Sequence, residues 1–188
     1  MRLLLIYILI VGCQYERFPS HDFCVVIESD DKVLQGWAPE IKVSITNHSD
    51  NTANLVRSLD GSIYQDRYPH TSFEIFGPDG KRLLDSFGRC GVTSPLRQED
   101  IIEVRSGEQF QPFLEHQNGL PWVCQDRMYR EIFNSKGLYC LRFYYSTMAP
   151  SNKDFLGIER YGVNSKNDWI RMIEKMSLKS NTLVIEVI

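Results

Sequence analysis

Apolar and polar residues alternate with a period of two over most of the chain after Phe23. The alternation is clearest in PEIKVSITNHSDN (39–51), SKGLYCLRFYYST (135–147) and NTLVIEVI (181–188). A period of two places successive side chains on opposite faces of a strand, so each stretch predicts a half-buried β-strand. The predicted inward residues are Ile41, Val43, Ile45, Tyr139, Leu141, Phe143, Tyr145, Leu183, Ile185 and Val187.

Shorter apolar stretches separated by turn formers predict further strands. SFEIFGPDGKRLLD (72–85) predicts a hairpin, because Pro78 presets φ and Gly80 tolerates positive φ in the turn. About eight strands with no regular alternation of strand and helix predict an all-β fold, an antiparallel β-sandwich. The other strand candidates are FCVVIES (23–29), TANLVRS (52–58) and IIEVRSGEQFQPFLE (101–115).

One stretch breaks the period of two. In SKNDWIRMIEKMS (165–177), apolar residues follow the spacing of a helical stripe, and Ser165 and Asp168 have the spacing of a capping box. We therefore predict one short helix over 166–177, before the last strand and packed on the sheet. The stripe consists of Trp169, Met172, Ile173 and Met176.

The chain begins with a short apolar run, Leu3–Val11. It is too short for a transmembrane helix, which needs about 20 apolar residues. With Arg2 before it and Gly12 after it, the run has the parts of a secretory signal peptide. Cys13 follows directly. Two simpler interpretations of this segment stay open: a plain signal peptide followed by an incidental cysteine, or a first β-strand.

The quartet Ile10-Val11-Gly12-Cys13 resembles the lipobox of bacterial lipoproteins. The resemblance implies that a signal peptide, 1–12, is removed and that Cys13 is lipidated on sulfur. It further implies a lipidated tether over 13–22 and one folded domain over 23–188. The membrane would then be a partner through the lipid, in the bacterial cell envelope. Gln14, in place of Asp, favours the outer membrane.

Three pieces of the chain resemble strands of immunoglobulin-like domains in bacterial surface and periplasmic proteins: IKVSITNHSD, KGLYCLRFYYS and SNTLVIEV. The resemblance implies an immunoglobulin-like β-sandwich and no particular activity, because such sandwiches host many roles. Antibody domains carry an inward cysteine two residues after the tyrosine of this pattern. Leu141 holds that position here, so the antibody disulfide is not expected.

The mature chain would retain Cys24, Cys90, Cys124 and Cys140. Because disulfides form in exported proteins, these four cysteines could form two disulfide bonds, in any of three pairings. Cys90 and Cys124 lie in loop-like sequence, whereas Cys24 and Cys140 lie in strand-like sequence. The favoured pairing is therefore Cys90–Cys124 and Cys24–Cys140, with free, partly buried thiols as the alternative.

The formal net charge is −3 and the charges are scattered, so nucleic acid is not predicted as a partner. No cofactor, metal or catalytic motif is found, and the chain is not predicted to be an enzyme. That interpretation would change if two or more of His48, His70 and His116 converged beside a carboxylate. The acidic run Glu28–Asp31 lacks the spacing of a calcium loop and predicts a solvated turn.

Arg142 and Tyr144 share the predicted outward face of one strand, a composition favoured at binding hot spots unless the 115–136 loop covers them. The sequence thus predicts a non-catalytic, membrane-anchored envelope lipoprotein that presents a β-sandwich for protein binding or structural support. The alternative is a proteinase-inhibitor-like or ligand-binding module that uses loops 86–100 and 115–136.

Overall fold

A computed structural model describes residues 22–58, 69–83, 98–112, 132–148 and 171–188. These residues are mostly β-strand, and the predicted all-β class is confirmed. A short 3-10 turn at Gln98–Asp100 precedes the seventh strand. In chain order the strands are β1 Phe23–Glu28, β2 Lys32–Val33, β3 Lys42–Asn47, β4 Ala53–Val56, β5 His70–Phe76, β6 Arg82–Leu83, β7 Ile101–Val104, β8 Gln109–Phe110, β9 Gly137–Ser146, β10 Ser177–Lys179 and β11 Leu183–Val187.

The larger sheet has six strands, in the order β2-β11-β9-β5-β6, with β10 also paired to β9. Its pairings are antiparallel except that of β2 with β11, which is parallel. A second sheet has the order β1-β3-β8, and β4 pairs with β7. The β4–β7 pair continues the β3–β8 ladder, because the partner of Ile45 is Phe110 and the partner of Ala53 is Val104.

The inward faces of the two larger sheets share one hydrophobic core. The inward residues predicted for β9 are all buried, and those predicted for β3 and β11 are buried except Leu183, which is partly buried against the core. The alternation predicted from the sequence is therefore confirmed in these strands. The predicted 72–85 hairpin is also present, since β5 pairs with β6 around a turn at Gly77–Lys81.

Two buried tyrosines of β9 satisfy backbone groups outside the sheet. The Tyr145 hydroxyl donates to the Val56 carbonyl at 2.9 Å and accepts from the Val56 N–H at 3.0 Å. The Tyr139 hydroxyl donates to the Ser135 carbonyl at 3.0 Å. Because buried backbone groups need partners, these phenols connect the two ends of β9 to neighbouring segments.

Two asparagines have a similar role in the second sheet. Asn47 is fully buried, and its amide donates to the Val104 carbonyl at 2.9 Å. The Asn181 side chain accepts from the Ile27 N–H at 2.8 Å and donates to the Ile27 carbonyl at 3.1 Å. Asn181 thus pairs with β1 as a strand residue would and connects it to the segment before β11.

The predicted helix over 166–177 does not continue to residue 177: in the described part, Arg171 is helical, Met172 lies in a turn, and residues 173–177 are not helical. The Glu174 N–H donates to the Asn54 carbonyl, Met176 pairs with Thr147, and Ser177 begins β10. These backbone groups bond to other segments, which ends the helix before Ile173. Ile173 and Met176 are buried as the predicted stripe required, but Met172 is exposed. Residues 165–170 lie outside the described residues.

The predicted Cys24–Cys140 disulfide is not formed, since both thiols are free. The reason is the alternation of side chains. Cys24 lies between the inward Phe23 and Val25 of β1, and Cys140 lies between the inward Tyr139 and Leu141 of β9. Each thiol therefore faces away from the core that separates the two sheets. Cys90 and Cys124 lie outside the described residues.

Candidate functional site

The candidate site is the outer face of the six-stranded sheet, meaning the side chains of that sheet that point away from the core. Register places Arg142 of β9 beside Glu74 of β5, and Tyr144 beside Ser72. On the other side of β9, Cys140 lies beside Val184 of β11. Since side chains alternate along every strand, these residues share one face.

An ionic cluster occupies the part of this face around Glu74. The Glu74 carboxylate lies 3.8 Å from Nη1 of Arg142 and 3.7 Å from Nε of Arg82. It also accepts a hydrogen bond from the Tyr144 hydroxyl at 3.1 Å. Three strands, β5, β6 and β9, thus converge on one carboxylate. The cluster consists of Glu74, Arg82, Arg142, Tyr144, Lys179 and Thr182.

The segment around β10 completes this cluster. Lys179 pairs with Tyr144 in the ladder, and its ammonium lies 5.8 Å from the centre of the Tyr144 ring. This distance allows a cation–π interaction. The Arg142 Nε donates to the Thr182 hydroxyl at 2.9 Å, which fixes the guanidinium against the sheet. The side chain of Arg142 nevertheless remains 38% exposed.

An apolar corner occupies the other end of the outer face. The parallel ladder continues past β2, because the Ile188 N–H donates to the Val33 carbonyl and the Gln35 N–H donates to the Ile188 carbonyl. Leu34 therefore lies opposite Ile188. The relative exposures are 58% for Leu34, 59% for Leu138, 47% for Val184 and 46% for Ile188, and these four residues define the apolar corner.

A tight turn follows Leu34. The Trp37 N–H donates to the Leu34 carbonyl at 3.0 Å, and Gly36 has a φ of 77°. Glycine supplies this conformation without steric cost. The turn leaves the Trp37 side chain exposed, three residues after Leu34 in the sequence.

Lys32 and Glu186 form a charged pair beside the apolar corner. They are the only charged pair among the described strand residues there. The Lys32 ammonium lies 3.1 Å from the Glu186 carboxylate. The hydrogen bond that Lys32 donates to Glu186, and then the charge of Glu186, hold the pKa of Lys32 above the ordinary value. The pair itself is neutral overall.

The outer face as a whole is cationic. Its described strands carry Lys32, Arg82, Arg142 and Lys179 against Glu74 and Glu186, a net charge of +2 on a chain whose net charge is −3. The other described residues carry a net charge of −5. Within the described part of the chain, charge is therefore segregated onto one face, which the overall composition conceals.

Sequence reasoning found one half of this surface and missed the other. Arg142 and Tyr144 lie side by side as predicted, and Glu74 joins them. The apolar corner was missed because it depends on the pairing of β2 with β11, which no local pattern reveals. One local signal was present, since Leu138 and Val184 are apolar residues on the faces of their strands that point away from the core.

The other predicted site residues are placed as follows. His48 is exposed in the turn after β3, and His70 begins β5. Cys13 and His116 lie outside the described residues, as do loop 86–100 except for 98–100 and loop 115–136 except for 132–136, where Phe133 is buried in the core. No group of three His, Cys, Asp or Glu side chains placed to hold a metal ion occurs within the described part of the chain.

The described segments also contain no helix that is long and apolar enough to span a membrane. A comparison with known proteins found no matching family, no matching curated protein and no matching solved structure.

Proposed function

We propose that this chain is a non-catalytic lipoprotein of the bacterial cell envelope, anchored through Cys13, that presents an immunoglobulin-like β-sandwich for protein binding. The observation that carries the binding role is the outer face, where an Arg–Tyr cluster adjoins four exposed aliphatic side chains. Arginine and aromatic residues beside an apolar patch are the composition of binding surfaces.

Strand order supports the immunoglobulin-like class. In such domains strands A, B and E form one sheet, and C, F and G form the other, with C′ added in the variable type. Here β1, β3 and β8 form one sheet, and β5, β9 and β11 lie in the other with β6 at its edge. Chain order and sheet membership agree for all seven strands.

Tyr139 gives a second, independent support for this class. Immunoglobulin-like domains contain a tyrosine corner, in which a Tyr near the start of strand F bonds to backbone a few residues upstream. Tyr139 is the third residue of β9, and its hydroxyl donates to the Ser135 carbonyl at 3.0 Å, with the Ile132 carbonyl 3.2 Å away. Leu141, fully buried, occupies the position of the antibody cysteine.

Anchoring is tested by Cys13→Ser in the native host, with radiolabelled palmitate and membrane fractionation. We expect the wild-type chain to take up label and to sediment with membranes, and the variant to do neither. Cys24→Ser is the matched control, because Cys24 lies in β1 within the folded domain. An unlabelled wild-type chain, or an unchanged distribution of Cys13→Ser, would refute the anchoring proposal.

A further inference from the structure

We infer that the outer face binds an acidic protein surface, with aliphatic side chains of the partner on the apolar corner and carboxylates of the partner beside Arg82, Arg142 and Lys179. This inference rests on the proposed binding role and adds to it a location and a partner chemistry. Its parts are the charge of the face, its size and its position relative to the anchor.

Charge argues for an acidic partner and against a second copy of this chain. Glu74 is the sole carboxylate of the described ionic cluster, where Arg82 and Arg142 lie beside it and Lys179 lies over the neighbouring Tyr144 ring. Two copies joined through this face would bring two surfaces of net charge +2 together, and like charges across an interface cost several kcal/mol. A carboxylate-bearing surface would instead be attracted to the face, since complementary potentials steer association.

The dimensions of the outer face suit a protein partner. The six strands of the sheet contain 29 residues in all. At about 3.3 Å per residue and about 4.8 Å between strands, they cover about 460 Å². A standard interface buries about 800 Å² on each partner, so the strands offer more than half of one side of such an interface.

The position of the apolar corner separates it from the anchor. Asn181 bonds to Ile27 near the end of β1. From there, the segment after Ile27 and the segment after Asn181 run parallel to each other as far as the pairing of Leu34 with Ile188. The corner therefore lies beyond the C-terminal end of β1, whereas Phe23, next to the tether, lies at the opposite end. A chain held through Cys13 would present the corner away from the attachment point, which favours a protein over the anchoring membrane as its occupant.

The test is site-specific photocross-linking in the native host. p-Benzoylphenylalanine replaces Leu138 on the outer face, and Lys42 on the outward face of β3 as the control. Both positions are exposed, so the folded domain tolerates the probe. We expect a protein adduct from position 138 and not from position 42, with an acidic contact surface on the partner identified by mass spectrometry.

Charge reversal at Arg142 tests the electrostatic part. In the background with the probe at 138, Arg142→Glu should lower the adduct yield at least about tenfold, and Lys42→Glu should leave it unchanged. Raising the salt concentration during irradiation of isolated envelopes should also lower the yield from the unreversed chain.

Each contrary outcome identifies what fails. An adduct of twice the chain mass would replace the acidic partner with a second copy, and an adduct with lipid alone would replace it with the membrane. Adducts from position 42 only would overturn this inference while keeping the proposed binding role. No protein adduct from either position would overturn both, whereas anchoring through Cys13 is judged separately by fractionation.

Discussion

Removal of the Tyr145 hydroxyl tests whether a buried phenol connects the end of β9 to β4. Tyr145 and Val56 are both fully buried, and the hydroxyl serves the Val56 N–H and the Val56 carbonyl. Tyr145→Phe keeps the ring and its packing. It leaves two buried backbone groups without this partner, and each such group costs about 1–3 kcal/mol.

The expected loss for Tyr145→Phe is therefore about 2–6 kcal/mol in the free energy of unfolding. For a domain of this size, 1 kcal/mol corresponds to about 2–4 °C in Tm, so the variant should melt roughly 4–24 °C lower. Equilibrium urea unfolding measures the free energy, and an unchanged m value shows that the two states being compared are the same.

Tyr144→Phe is the matched control because it makes the same chemical change at the neighbouring residue. The Tyr144 hydroxyl donates to Glu74 on the partly exposed outer face, where water can replace it. We expect a loss below about 1 kcal/mol. Equal losses for the two variants, or an unchanged stability for Tyr145→Phe, would refute the idea that burial of the Val56 backbone groups sets the magnitude.

Gly137 and the two strand thiols provide further tests. Gly137→Ala should destabilise the domain by about 2–4 kcal/mol, because φ is 136° and the new Cβ would lie 2.7 Å from Cβ of Pro78. Gly80→Ala is the control: φ is 74° and no atom lies within 4 Å of the new Cβ, so the cost should be about 1 kcal/mol. Similar urea midpoints for the two variants would contradict the steric argument. Cys24 and Cys140 should both react with maleimide without reductant when peptides are mapped, and recovery of a peptide linked through the two would contradict their free state.

The strands were predictable because each carries its own signal. Inward residues at every second position identified β3, β9 and β11, since burial on one face forces the alternation. The helix predicted over 166–177 does not extend through 173–177, for the converse reason. Ile173 and Met176 are buried at helical spacing, but their segment bonds to β4 and Thr147, and such tertiary hydrogen bonds leave no mark on the local pattern.

The predicted Cys24–Cys140 pair was wrong, and the apolar corner was not predicted, for a related reason. Alternation showed that Cys140 points away from the core, but the sheet to which Cys24 belongs follows from the pairing of β1 with β3. The apolar corner needs the parallel pairing of β2 with β11, which joins residues about 150 positions apart. Long-range pairing is set by the whole fold, so neither feature could be read from one strand.

The core also determines the binding face, through the register of β9. Side chains alternate, so a slip of β9 by one residue would bury Leu138, Cys140, Arg142 and Tyr144 and expose the aromatic core. Tyr139 near the start of the strand and Tyr145 near its end oppose such a slip, because each would lose backbone partners that it meets only in the observed register. Removing either hydroxyl should therefore destabilise the outer face together with the core. We expect Tyr145→Phe to lower the adduct yield at position 138 only under conditions in which it also unfolds the domain.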